Sequence, residues 1–181
     1  MALKNDALNY GSVAKWFHWG MAIIIVGLLA IGFYMADMES GPARRQLYTL
    51  HKSVGFGVLI LVVMRFAWRM VNSIPTLTQS RFLQQLGHIN VWMLYGLMMT
   101  MALSGYVMTA AGGHPLNLFN SLLVPSVVAP SMPLARMAHR VHEYAAIILT
   151  VLTSLHVIAA LFHHFVLRDR VLKGMLPRVC G

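Results

Sequence analysis

Acidic residues are scarce in this chain of 181 residues. Five Asp and Glu stand against fourteen Lys and Arg, and charged residues of both signs make up only 10% of the sequence, where a soluble globular domain has roughly 25%. That shortage argues against a soluble enzyme. Cysteine is nearly missing: Cys180 alone rules out an intrachain disulfide framework and a cysteine-based zinc or iron–sulfur site. No Cys-x-x-Cys-His is present, so covalent haem attachment is excluded as well. What fills the chain instead is apolar, 58% of residues with a mean hydropathy of +0.66. These residues come in runs about long enough to cross a hydrocarbon core of ~30 Å. The net charge of +9 would raise the question of nucleic acid in a soluble protein. Here the basic residues lie between the apolar runs, where membrane topology places them, and no nucleic-acid partner is expected.

The runs predict four spans in one domain over residues 1–181, at about 16–35, 53–70, 89–111 and 144–167. The first is too long for a signal-peptide core and lacks a convincing cleavage site after it, so it reads as a retained helix. An even number of spans in up-down-up-down order puts both termini on one side. Nine Lys and Arg flank that side (Lys4, Lys15, Arg65, Arg69, Arg81, Arg168, Arg170, Lys173 and Arg178). Five flank the other: Arg44, Arg45, Lys52, Arg136 and Arg140. The positive-inside rule then places both termini in the cytoplasm. Breakers mark the connections at Ser40-Gly41-Pro42, at Asn72 to Pro75, and from Gly112 through Pro133. Within the last, the moderately apolar stretch from Leu116 to Met132 reads as an interfacial segment over the far end, not a fifth span.

Nine histidines are the anomaly in so apolar a chain. An ionisable side chain inside a span is costly and needs a partner. His142 and His156 lie fourteen residues apart in the fourth span, close to four full turns and a rise of ~21 Å, so their imidazoles share one face at two depths. His18 in the first span is level with His156, and His51 at the start of the second is level with His142. Two facing imidazoles on opposite sides of a macrocycle are how a helical bundle holds a haem iron by both axial positions. Zinc would want four ligands where each site has two. The alternative for any one histidine is a hydrogen bond between helices or a place at the headgroups. His88 and His139 read as interfacial or supporting groups, and His114, in a Gly-Gly-His-Pro loop, as solvated.

A porphyrin between helices also needs walls that stand back. Gly27, Gly32, Gly55, Gly57, Gly96 and Gly105 offer such places, Gly55 foremost because it falls one turn after His51. Helix packing is the other reading of the same glycines.

These residues resemble the bacterial di-haem cytochrome b561 family, inner-membrane four-helix proteins related to the cytochrome b subunits of nickel–iron hydrogenases. The likeness extends over the whole chain. It is carried by His18-Trp19, by His51 before a glycine-containing helix, by Leu86-Gly87-His88, by His142-Glu143, and above all by LHVIAALFHHFVLRDRVLKGMLP from Leu155 to Pro177. The resemblance implies an all-α integral membrane bundle holding two non-covalent b haems. Their iron ligands fall on His18 with His156 and on His51 with His142, the pairs that depth selects. It further implies exchange with ubiquinone and, for superoxide-oxidising members, oxidation of periplasmic superoxide with ubiquinone as acceptor.

On that basis Lys52, Arg136 and Arg140 either steer superoxide or neutralise haem propionates and lipid headgroups. His163 and His164, two turns beyond His156, either serve a quinone as donor and proton source or form an interfacial pair. Two other classes stand beside this reading. One is a cytochrome b anchor relaying electrons between quinone and a dehydrogenase or hydrogenase partner. The other is a non-haem metal transporter, disfavoured because transport sites gather their ligands at one depth.

Overall fold

The computed structural model describes residues 2–6, 9–75 and 81–176. Four long helices dominate it: α1 (Ser12–Asp37), α2 (Pro42–Met70), α3 (Arg81–Ala111) and α4 (Met132–Phe165). All four are long and apolar enough to cross a membrane. Each begins ahead of the apolar run that announced it, because polar residues in the headgroup region do not interrupt a helix whose backbone bonds to itself, and α4 ends at Phe165, two residues before the end expected for its run. Pro42 and Pro133 occupy first turns, where a missing N–H costs nothing. A short helix, α5 (Val171–Met175), follows α4.

The side chains sort as they do in lipid. Large apolar residues point outward along every span, with Trp16, Ile23 and Ile158 all well exposed. A small inner layer of Met21, Val58, Val62, Tyr95, Met98 and Leu149 closes the middle of the bundle. Leu149 lies midway between His142 and His156 in the sequence, so this layer separates the depths of those two residues. The packing is uneven around the bundle. Helix α3 lies along α4, and α2 packs on both α1 and α3, whereas α1 and α2 stand further back from α4.

The third connection differs from expectation. Leu116–Leu118 (β1) and Leu122–Val124 (β2) form an antiparallel hairpin, Leu116 opposite Val124. The hairpin is pinned to α2, where the Phe119 N–H donates to Ser53 Oγ at 2.9 Å, and Leu116 is buried. Beyond it, the Tyr106 hydroxyl donates to the Pro125 carbonyl and accepts from the Val127 N–H, both at 3.0 Å. Moderate hydropathy located this segment outside the spans, but strand pairing and docking depend on partners on α2 and α3 that hydropathy does not register.

The start of α1 and the close of α5 meet at one end of the bundle. The buried Lys15 donates from Nζ to the Leu176 carbonyl, and Trp19 Nε1 donates to the Met175 carbonyl, each at 2.9 Å. These bonds satisfy carbonyls at the close of α5 that have no helical partner.

Candidate haem sites

Each histidine pair sits across the open side of the bundle. On the terminal side, His18 of α1 faces His156 of α4 with ring centroids 6.2 Å apart. At the far end, His51 of α2 faces His142 of α4 at 6.3 Å. All four rings are partly buried. Imidazoles project into the gap between α4 and its neighbours α1 and α2 at two depths, with the layer around Leu149 between them. A small apolar pocket opens beside the far pair, lined by His51, His142, Gly55 and side chains such as Leu28, Leu29 and Met98.

The remaining ring nitrogens are held differently from one histidine to the next. His142 Nδ1 donates to the Met101 carbonyl at 3.0 Å, with Ser104 Oγ at 3.1 Å bonded to the same carbonyl. His156 Nδ1 donates to Asn90 Oδ1 at 3.2 Å. A carbonyl oxygen only accepts, so in both rings the proton is on Nδ1 and the Nε2 lone pair is free for a metal. His51 Nδ1 is buried without a hydrogen-bond partner among the described residues. His18 Nδ1 accepts from Arg65 Nη2 at 3.1 Å.

Two glycines make room for the far pair. A Cβ on Gly32 would stand 3.3 Å from Cε1 of His51, and one on Gly105 would stand 3.2 Å from Cε1 of His142. Those imidazoles rest directly on the backbones of α1 and α3. Gly55 lies on the cavity wall, where a Cβ would meet no atom within 4 Å. The close contacts thus belong to Gly32 and Gly105, and Gly55 borders open space.

The other candidate residues lie around these pairs. Lys52 is half-buried beside His51, and Arg136 and Arg140 are exposed on the first turns of α4. His163 and Asp169 join at the corner between α4 and α5 through Nδ1 and Oδ2, and Asp169 Oδ1 accepts from the Val171 N–H at 3.0 Å. His164 has a buried Nδ1 with no partner among the described residues and packs edge-on to Phe165. His88 and His114 are exposed. The exposed His139 lies 3.7 Å from Glu143 one turn along. Among the described residues no group of three or more His, Cys, Asp or Glu gathers at one point.

Asn90, Arg65 and the Met101 carbonyl did not emerge from sequence. Asn90 and Arg65 carried a signal, a polar residue within an apolar run, but which histidine each serves depends on helix pairing.

A bundle that spans the membrane with internal histidines paired across a cleft belongs to the class of helical redox membrane proteins. The sequence pattern of the prokaryotic cytochrome b561 family matches residues 9–178, and the chain belongs to that family. It is 32% identical over 184 residues to cytochrome b561 homolog 2 of Escherichia coli (strain K12), covering 98% of this chain and 96% of that protein. It is 27% identical over 178 residues to the probable superoxide oxidase CybB of Yersinia pestis, covering 96% and 98%. Cytochrome b561 homolog 1 of Escherichia coli (strain K12) is also 27% identical, over 179 residues.

The family implies a b-type haem, and the donor geometry can be tested against it. Imidazole–metal bonds of about 2 Å on either side of one iron, with the ring radii added, separate two axial centroids by roughly 6 Å. Both pairs fit that spacing. Nitrogen donors with Nδ1 bonded to a carbonyl suit the iron as well.

Proposed function

We propose that this membrane electron carrier of the cytochrome b561 family carries two b haems, one held by His18 and His156 and one by His51 and His142, and that it passes electrons from superoxide to ubiquinone. The observation that carries this reading is the repetition of one geometry at two depths. Two pairs of imidazoles, at 6.2 and 6.3 Å, lie across the same cleft on the one face of α4. His18 with His156, and His51 with His142, would each hold a b haem, which would supply one-electron transfer.

Overall, two superoxide anions give up one electron each and leave as O₂, and one ubiquinone takes two electrons and two protons to become ubiquinol. The residues divide this work by position. In this reading both termini are cytoplasmic, by the excess of Lys and Arg on their side, and the His51–His142 pair is near the periplasm. Lys52, Arg136 and Arg140 surround that end and give it a positive potential that attracts an anion. His163, oriented by Asp169, and His164 stand beyond the other pair, where an imidazole can donate to a quinone carbonyl and deliver a proton. Among the relatives, support for superoxide comes from the probable superoxide oxidase of Yersinia pestis, and the other two are named for the cytochrome b561 family alone.

The test is a haem count by pyridine haemochrome on the purified chain, with pulsed superoxide and a ubiquinone acceptor as the activity assay. Two haems in the parent, with one remaining in His156→Ala and one in His142→Ala, are expected. Two haems in either variant would refute the ligand assignment. Two haems without superoxide-dependent ubiquinone reduction would leave a carrier that serves a dehydrogenase or hydrogenase partner instead.

A further inference from the structure

The two histidine pairs differ in their electrostatic surroundings. At the far pair the groups bonded to a ring are neutral, the Met101 carbonyl and the Ser104 hydroxyl at His142, and the cations of that end, Lys52, Arg136 and Arg140, make no hydrogen bond to either ring among the described residues. At the other pair a guanidinium lies 3.1 Å from His18 Nδ1. Arg65 is half-buried on α2, and its guanidinium is held over the Tyr95 ring at 5.7 Å. Among the described residues no carboxylate pairs with it. Tyr10 is pushed above its ordinary value by burial, against the pull of Arg69 and Arg65, and stays neutral.

We propose that Arg65 is a positioning charge that raises the reduction potential at the His18–His156 pair above that at the His51–His142 pair, giving electron transfer through the bundle a downhill direction toward the terminal end. This rests on the haem assignment proposed above. Reduction adds one negative charge at a site, and a fixed cation beside it in low dielectric favours the reduced form. A bond from Nδ1 to a carbonyl oxygen makes a ring a stronger donor and favours the oxidised form, but His142 and His156 both have one, so the guanidinium is what separates the two pairs. The effect needs the charge and not the hydrogen bond. A guanidinium only donates, so Nδ1 of His18 accepts here; metal ligation through Nε2 shifts the ring proton to Nδ1 and ends that bond, while Tyr95 keeps the cation close.

The experiment is a spectroelectrochemical titration of the visible haem bands in single-haem backgrounds. His51→Ala leaves the His18–His156 site and His156→Ala leaves the other. In the His51→Ala background, Arg65→Gln is expected to lower the midpoint potential, and Arg65→Lys to hold it near the parent. In the His156→Ala background, Arg65→Gln is expected to change nothing measurable. An unchanged midpoint for Arg65→Gln in the first background, or equal shifts in both, would overturn the proposal. So would loss of the haem in Arg65→Gln and Arg65→Lys alike, which would make Arg65 a structural support. If the two histidine variants each keep two haems, it is the ligand assignment that fails, and that is read before Arg65 is changed.

Discussion

Asn90 on α3 accepts a hydrogen bond from His156 on α4, its Oδ1 3.2 Å from the imidazole Nδ1. That bond fixes the ring's tautomer and its rotation, and both matter because a metal accepts only the lone pair on Nε2. Replacing Asn90 with Leu removes the acceptor without a large change in volume. Haem affinity at the His18–His156 pair is expected to fall by about 10- to 100-fold, the usual effect of losing a partner of this kind. Haem retained per chain after dilution and refiltration measures it. The His51–His142 site, ~21 Å away along α4, serves as the internal control.

Gly105 carries the opposite pair. Alanine there puts a methyl 3.2 Å from Cε1 of His142, tighter than ordinary van der Waals contact, and the ring must yield by a few tenths of an ångström. The expected result for Gly105→Ala is a weakened or lost haem at the His51–His142 pair with the other intact. Gly32→Ala should act on the same site through His51. Gly55→Ala, which meets nothing within 4 Å of its Cβ in the protein, separates the two kinds of glycine. If it also costs haem, the macrocycle itself lies against α2.

Lys52→Gln and Arg140→Gln address the route of the anion. If steering operates, the rate of superoxide-dependent ubiquinone reduction falls at low ionic strength, and its dependence on salt becomes shallower. Stopped-flow or pulsed assays across a salt series read both. Equal rates and equal salt slopes in the variants would assign these cations to haem propionates or lipid headgroups.

At the other end, Asp169→Asn removes the carboxylate that holds His163. Ubiquinone reduction should slow while the reduced-minus-oxidised spectrum of the haems stays unchanged. A lost haem would show instead that the corner between α4 and α5 supports the bundle and has no part at the quinone.

Much of this was legible in the chain because membranes impose a simple grammar. Residues of each span are apolar on all sides, so length and composition located the four helices without knowledge of their neighbours. The ligand candidates were legible for a related reason. A histidine is conspicuous in such a run, and helical rise alone ranks His18, His51, His142 and His156 by depth. The hairpin from Leu116 to Val124 was not legible, since its anchor, Ser53, lies on another element 66 residues from Phe119.

By itself, then, the order of residues determined the number of spans, their alternation across the bilayer and the depth of every imidazole. These follow from hydropathy and from 1.5 Å of rise per residue, which are properties of a helix in isolation. Rotation about each helix axis is not such a property. It is set by side-chain packing between helices, and it decided that Arg65 reaches His18, that Asn90 reaches His156 and that the His142 and His51 rings lie on Gly105 and Gly32. Contacts across 47 and 66 residues of sequence have no local signal, because each partner only needs to be compatible with its own helix.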